Sequence, residues 1–260
     1  MISRISVLRW LMLPLGALLL HPVASWSADG VLEINGACAA VGCFPGDDPG
    51  FPVTITGAAG HSYRLTSDLS IFSASTSGIQ ITGPDVTLDL AGFRISGGRL
   101  CTGACPLPGS QQGILGGASV EVRNGSVVGF FGRGVSLGTN AVVRDLRVSN
   151  NGSAGIYVSD GCRVTGNIVY DNGSDGIRVA SGCTVSGNSV DDNGGNGIYV
   201  GAGTIVIGNA LRENTGFGLR TTFNPNSGYT QNTITGNDAG TVRGGVNLGA
   251  NSCDFAATCP

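Results

Sequence analysis

The sequence predicts an all-β solenoid, in which stacked coils are each built from three short strands. One glycine recurs every 21 residues through the middle of the chain, and within each unit apolar and polar residues alternate in two-residue steps. Gly, Asn-Gly or Asp-Gly closes the apolar segments. A fixed period in the range of about 20 to 50 residues is typical of repeat proteins, whose units bury apolar surface only against their neighbours. The recurring glycines are Gly113, Gly134, Gly155, Gly176, Gly197 and Gly218.

The alternation within a unit is that of a strand. In the unit that begins at Ala154, the apolar positions are Ile156 and Val158, then Cys162 and Val164, then Val169. A period of two indicates strands and excludes helices from these units. The segments are short because glycine and asparagine at their ends tolerate the left-handed backbone of a sharp corner.

Stacking the coils places residues 21 apart directly above one another, at the spacing of roughly 4.8 Å between hydrogen-bonded strands. Four inward columns of aliphatic residues then form the predicted core. Two of them lie on the first strand of each unit: Ile114, Val135, Ile156, Ile177, Ile198 and Leu219, and Leu137, Val158, Val179 and Val200. The other two lie on the second and third strands: Val122, Val143, Val164, Val185 and Val206, and Val127, Val148, Val169, Val190 and Leu211.

Two columns of asparagine interrupt the apolar pattern at the corners. They are Asn167, Asn188 and Asn209, and Asn151, Asn172, Asn193 and Asn214. Stacked amides are able to hydrogen-bond one another and the corner backbone, as buried polar groups require.

These repeats resemble those of the bacterial secreted right-handed parallel β-helix proteins, relatives in fold of pectate lyases and periplasmic NosD-like proteins. The likeness is carried by three units that align without a gap: AGIYVSDGCRVTGNIVYDNGS, DGIRVASGCTVSGNSVDDNGG and NGIYVGAGTIVIGNALRENTG. It implies a right-handed, single-stranded parallel β-helix over nearly all of the mature chain. The predicted β-helix spans residues 62–250, with regular coils over 112–218 and a loop excursion over 97–111.

Both ends of the β-helix are predicted to be capped, since exposed strand edges promote aggregation. Residues 28–61 form the expected N-terminal cap, and residues 251–260 form a C-terminal tail. In the cap, Asp47 and Asp48 are expected in a solvated turn, with calcium as the alternative. After Gly218 the period slips by two residues, because Asn232 and Asn237 follow Asn209 and Asn214 at a spacing of 23.

Residues 1–27 have the pattern of a secretory signal peptide, with two arginines, an apolar run from Trp10 to Leu20 and small residues before the cleavage site. We therefore expect a secreted or periplasmic protein with no membrane insertion. Removing Arg4 and Arg9 leaves 12 arginines against 17 acidic residues, a net charge of −5, which argues against nucleic acid as a partner. A monomer is expected.

Eight cysteines in an exported chain predict disulfides. Three local pairs are candidates: Cys38 with Cys43, Cys101 with Cys105, and Cys253 with Cys259. Cys162 and Cys183 are 21 residues apart and stack in the core. Their separation is within disulfide range, but parallel Cβ vectors would strain the bond, so we expect two free buried thiols there.

The candidate binding residues form an outward column on the first strand: Tyr157, Arg178, Tyr199 and Arg220. Neighbouring phenol and guanidinium groups stack at this spacing, and together they suit a sugar that bears carboxylate or sulfate. The alternative is that these residues only cover an exposed sheet face, where aromatic side chains are favourable.

A second outward column is acidic and consists of Asp171, Asp192 and Glu213, with Asp191 adjacent. Like charges at this spacing either raise a pKa or share a cation. Solvated corner carboxylates are the expected arrangement, so no cofactor is predicted, and a shared calcium ion is the alternative.

Two classes of function compete. The regular coils predict a non-catalytic role, in which the protein binds an acidic polysaccharide, a cell-surface glycan or another cell-surface partner, or acts as a structural rod. The resemblance implies the alternative, a polysaccharide lyase or glycoside hydrolase. No catalytic residues are identified, because the chain has no lysine, His61 is the one histidine after the signal peptide, and no paired acids are recognisable across a cleft.

Overall fold

A computed structural model describes residues 30–57, 61–98, 110–222, 226–254 and 259. The described residues form a parallel β-solenoid with two sheets and one turn of helix, α1 (Gly36–Ala39). A regular coil contributes one strand to a nine-stranded sheet and two strands to a 17-stranded sheet, and in two coils those two strands are joined into one longer strand. The prediction of three short strands per coil, with almost no helix, is therefore confirmed.

The nine-stranded sheet is called the first face. Its strands are β2 (Val53–Ile55), β5 (Ile79–Ile81), β8 (Ile114–Gly116), β10 (Val135–Leu137), β12 (Ile156–Val158), β15 (Ile177–Val179), β18 (Ile198–Val200), β21 (Phe217–Thr221) and β24 (Gly240–Arg243).

The 17-stranded sheet bends between the two strands of each coil, which lie on what are called the second and third faces. The strands of the second face are β1 (Leu32–Ile34), β3 (Ser62–Leu65), β6 (Thr87–Asp89), β13 (Arg163–Thr165), β16 (Thr184–Ser186), β19 (Ile205–Ile207), β22 (Gly228–Thr230) and β25 (Val246–Asn247). Those of the third face are β4 (Leu69–Ile71), β7 (Arg94–Gly97), β14 (Ile168–Tyr170), β17 (Ser189–Asp191), β20 (Ala210–Arg212), β23 (Thr233–Thr235) and β26 (Ser252–Cys253). Two longer strands, β9 (Glu121–Val128) and β11 (Val142–Ser149), run across both faces.

The register is the one that the 21-residue period predicts. Ile156 pairs with Ile177, and Ile177 pairs with Ile198, in parallel strands. Every residue of the four predicted aliphatic columns is 2% exposed or less. The core is therefore a set of stacked aliphatic ladders that runs the length of the solenoid.

The N-terminal segment is joined to the stack by its own strands, since β1 pairs with β3 and β2 pairs with β5. Helix α1 begins after Asn35, whose side-chain oxygen accepts a hydrogen bond from the backbone N–H of Cys38 at 2.9 Å. The predicted disulfide between Cys38 and Cys43 closes the loop that follows.

Asp47 corrects one expectation for this segment, because it is buried rather than solvated. Its side chain is 8% exposed, and its two carboxylate oxygens accept hydrogen bonds from the backbone N–H groups of Cys43 (2.8 Å) and Thr54 (2.7 Å). The carboxylate thus ties the disulfide loop to strand β2. The sequence alone did not show this, because the loop folds back onto the strand.

The asparagine columns form continuous buried ladders. The backbone N–H and the side-chain Nδ2 of Asn167 both donate to Oδ1 of Asn188, at 2.9 and 3.0 Å. The same Nδ2 also donates to the carbonyl of Val143 at 3.1 Å. Each amide therefore bonds the next coil and the corner backbone, as predicted. The complete ladders are Asn167, Asn188, Asn209, Asn232 and Asn251, and Asn151, Asn172, Asn193, Asn214 and Asn237.

The corners beside these ladders use left-handed backbone in register. Asp171, Asp192 and Glu213 occupy one such column with φ of 55°, 51° and 53°. Non-glycine residues rarely adopt this conformation, and Asn and Asp are the side chains that tolerate it best. The acidic column is therefore also a column of corner residues.

Cys162 and Cys183 are disulfide-bonded, so the expectation of free thiols at this pair was wrong. Stacking brings their Cα atoms to 4.5 Å, inside the range that a disulfide spans, and the bond closes between the stacked positions. Cys253 and Cys259 are bonded as predicted.

Three expectations fall on residues that the structure does not describe. The signal peptide over 1–27 and the pair Cys101 and Cys105 lie outside the described ranges, as does most of the excursion over 97–111. Within the described ranges, no helix is long and apolar enough to cross a membrane.

Breaking one asparagine ladder should destabilise the whole solenoid. Asn188→Ala removes the acceptor for two donors of Asn167 and the donor to the Val164 carbonyl, which is bonded at 3.1 Å. Leaving buried polar groups unpaired costs about 1–3 kcal/mol each. We expect the free energy of unfolding in urea to fall by at least about 2 kcal/mol. The control is Ser189→Ala on the exposed side of the next strand; equal unfolding midpoints for the two variants would contradict the role of the ladder.

Peptide mapping of the exported protein tests the stacked disulfide. After alkylation of free thiols without reduction, we expect Cys162 and Cys183 in one cross-linked peptide pair. Cys38 with Cys43 provides an internal control, since that pair closes a local loop. Recovery of alkylated Cys162 and Cys183 beside an intact Cys38–Cys43 bond would show that the stacked pair is reduced in solution.

Candidate functional site

The four predicted binding residues form one column on the first face. Tyr157 pairs with Arg178, Arg178 with Tyr199, and Tyr199 with Arg220 across successive parallel strands. Their neighbours within each strand point inward and are buried, so this column faces solvent. Arg178 is exposed, whereas Tyr157, Tyr199 and Arg220 are half-buried by one another.

Guanidinium groups stack on the tyrosine rings of this column. The guanidinium carbon of Arg178 lies 4.7 Å from the centre of the Tyr199 ring, and that of Arg220 lies 5.5 Å from the same centre. Both distances are within the range of a cation–π interaction. The two arginines therefore hold one tyrosine between them.

The strip is longer than the sequence predicted. Arg133 stacks on Tyr157 with 3.9 Å between its guanidinium carbon and the ring centre, and Arg243 lies 5.6 Å from the ring centre of Phe217. Arg243 pairs with Arg220 in the next strand, so the two-residue slip in period would have located it. Arg133 lies in the corner before its strand, where no repeat pattern predicts the direction of its side chain. Together Arg133, Tyr157, Arg178, Tyr199, Arg220, Phe217 and Arg243 are called the arginine–aromatic strip.

The carboxylate of Asp175 forms an ion pair with one arginine of the strip. Oδ2 of Asp175 lies 3.5 Å from Nη1 of Arg178. The Asp175 side chain is 7% exposed, and its Oδ1 accepts hydrogen bonds from the backbone N–H and the Nδ2 of Asn196, both at 2.8 Å. Asp175 is thereby fixed and orients Arg178. Among the described residues, no carboxylate lies within ion-pair distance of Arg133 or Arg220, so the strip carries a net positive charge.

The acidic column lies at the far corner of the third face. Carboxylate oxygens of Asp191, Asp192 and Glu213 lie within 4.8 Å of one another. Arg212 compensates part of this charge, because its Nε lies 3.1 Å from Asp191 Oδ1 and 3.8 Å from a Glu213 oxygen. Hydrogen bonding to Asp191 raises the pKa of the Arg212 guanidinium. Calcium at this corner stays an expectation from the sequence.

Asp171 continues the acidic column by one coil, and its pKa is raised. Partial burial is the largest cause, followed by the charges of Asp192 and Asp191. This is the direction predicted for stacked like charges. A folded-state pKa above the unfolded value means that the ionised form of Asp171 opposes folding at neutral pH.

Replacing Asp171 by Asn should therefore stabilise the protein at pH 7. The gain in the free energy of unfolding should shrink as the pH falls to about 3, below the unfolded-state value of about 3.9, since Asp171 is then neutral in both states. The matched control is Asp85→Asn, which has the same φ of 55° but lies outside the acidic column. Urea unfolding at the two pH values separates a charge effect from the preference of left-handed backbone for Asn; a gain independent of pH would contradict the charge effect.

Comparison with known proteins places the chain by its fold. No curated protein matches it significantly in sequence. Among solved structures, the periplasmic alginate epimerase AlgG superposes with a TM-score of 0.57 at 15% identity, over 78% of this chain and 55% of that chain. The complex of XylC with xylose gives a TM-score of 0.50 at 11% identity, over 66% of this chain and 36% of that chain. The match covers about half of the AlgG chain and about a third of the XylC chain. At these sequence identities the likeness shows the fold alone.

The family assignment comes from the sequence of the coils. A family model described as the right-handed β-helix region matches residues 57–186, which is half of the chain. The matched residues contain the earlier part of each aliphatic column and the first residues of both asparagine ladders. The chain therefore belongs to the right-handed β-helix family.

Proposed function

We propose that this protein is exported and binds an acidic polysaccharide along the arginine–aromatic strip, without acting on it chemically. The observation that carries the proposal is the alternating stack of Arg178, Tyr199 and Arg220, in which both guanidinium groups lie over one ring. A guanidinium that is already fixed against a ring loses less conformational freedom when it binds a carboxylate.

The strip offers two kinds of contact to such a ligand. Its arginines present paired N–H donors, which match a carboxylate or sulfate in a bidentate geometry. Its tyrosine and phenylalanine rings present flat apolar surface, against which the face of a sugar ring packs. Both kinds of contact repeat along one line.

The direction of the strip fits an extended chain. Its residues follow the solenoid axis, so a bound polysaccharide crosses one strand after another. Arg178 and Arg220 lie two rungs apart, roughly 10 Å at the spacing of parallel strands. A polymer with regularly spaced charges is able to bind both arginines at once. Once the first contact has formed, the second is intramolecular, so the overall affinity exceeds that of either contact alone.

Two further observations support the proposal. The disulfides are typical of proteins in oxidising compartments outside the cytoplasm, and they favour a secreted or periplasmic location. The structural neighbour AlgG acts on alginate, an acidic polysaccharide. That neighbour is an epimerase. The alternative function is therefore an enzyme that modifies the polysaccharide it binds.

Retention on immobilised alginate and polygalacturonate tests the binding. We expect the double variant Arg178→Ala with Arg220→Ala to lose at least about tenfold in affinity, about 1.4 kcal/mol. Tyr199→Ala should weaken binding in the same direction, because it removes the ring that holds both guanidinium groups. The circular dichroism spectra of the arginine variants should match that of the parent, which separates a loss of ligand contacts from unfolding.

The matched control is Arg163→Ala, an exposed arginine on the second face. It should leave affinity unchanged. If the strip variants bind as tightly as the parent, or if the parent is not retained, the column is only sheet cover and a structural rod is favoured. The same incubations are also assayed for unsaturated or epimerised sugars, and their appearance would establish the enzyme alternative.

A further inference from the structure

A second concave surface lies on the third face, away from the arginine–aromatic strip. Two cavities of about 340 and 190 Å³ adjoin there and share Ser126 and Arg147 in their walls. We call their combined volume the third-face cleft. Its polar and aromatic lining includes Arg94, Ser126, Arg147, Ser149 and Tyr170.

The bend of the larger sheet creates the cleft. Strands β9 and β11 each turn from the second face to the third at a left-handed residue, Asn124 (φ 58°) and Asp145 (φ 55°). Gly166 continues this column with φ 68°. Gly92, Gly125 and Gly166 line the larger of the two cavities.

Two arginines flank one serine in the cleft. Strand register places Arg94 opposite Ser126, and Ser126 opposite Arg147. Among the described residues, neither arginine lies within ion-pair distance of a carboxylate. Asp145, which lines the larger cavity, is paired with Arg144 at 3.0 Å. Asp68 accepts the backbone N–H of Arg94 at 2.8 Å.

The base of the cleft adds neutral polar groups and apolar surface. Ser149 is 4% exposed and lines the smaller cavity, and its hydroxyl has no hydrogen-bond partner within the described part of the chain. A nearly buried hydroxyl that opens onto a cavity is available to a ligand. Tyr170 lies half-buried beside it, and Ile168 is 44% exposed at the cavity wall.

We propose that the third-face cleft binds one carboxylate-bearing sugar unit, independently of the strip. The paired arginines match the carboxylate, and the hydroxyls of Ser126 and Ser149 match ring hydroxyls. Tyr170 and Ile168 supply the apolar surface that packs against the sugar ring. The two cavities end at the coils that hold residues 92 and 170, and this limits the length of ligand that the cleft takes.

Calorimetric titration with D-glucuronate tests this site, with D-glucose and inorganic sulfate as comparison probes. We expect saturable binding of glucuronate, and at least tenfold weaker binding by the double variant Arg94→Ala with Arg147→Ala. Arg94→Lys with Arg147→Lys should lose less affinity, since charge is retained but the bidentate geometry is not. Ser149→Ala should weaken glucuronate binding while leaving the circular dichroism spectrum unchanged.

Every titration is made in the background of the strip double variant Arg178→Ala with Arg220→Ala, so that glucuronate bound by the strip does not contribute. Arg163→Ala serves as the control and should bind glucuronate like the protein without that change. Unchanged affinity in the Arg94 and Arg147 variant would overturn the proposal. So would the absence of glucuronate binding in the strip-variant background, or sulfate binding as tight as that of glucuronate, since the sugar would then contribute nothing. Retention on immobilised polysaccharide tests the strip, and glucuronate titration tests the cleft. A failure of one proposal is therefore distinguishable from a failure of the other.

Discussion

The hydrogen bond from one coil to the same position in the next is the interaction on which this structure depends. The backbone rungs fix the spacing, and the buried asparagines fix the register, because each amide bonds its equivalent in the next coil and a corner carbonyl at once. A strand shifted by one residue would expose a whole aliphatic column and leave those amides unpaired. Few alternative registers compete with the observed stacking, even though most strands are only three or four residues long.

The same register gives the outer surface its chemistry. Side chains that recur in sequence become continuous lines in space, so one column carries stacked arginine and tyrosine while another collects carboxylates at a corner. Positive and negative groups are thereby separated onto different faces of an acidic protein. The strip attracts an anionic polymer locally, although the overall charge of the protein would repel it at long range.

Prediction from the sequence succeeded where the period applied and failed where it did not. The aliphatic columns, both asparagine ladders and the column of Tyr157, Arg178, Tyr199 and Arg220 follow from the spacing alone. The burial of Asp47 depends on a loop that folds back onto strand β2, and the stacking of Arg133 depends on a side-chain rotamer at a corner. The third-face cleft arises from the bend of β9 and β11, and residue spacing carries no information about the angle between two faces.

Coil length varies along this chain while the rungs do not. Ile79 pairs with Ile114, which lies 35 residues later, and Ile205 pairs with Gly228, 23 residues later, in the same parallel register as the regular coils. The additional residues enter between strands and do not lengthen the stack, because the register on either side of them is unchanged. Insertions within a coil therefore change the surface at one position along the solenoid axis. Only duplication of a whole coil makes the solenoid longer. New surface features are acquired in such a molecule without any change to the ladders that hold it together.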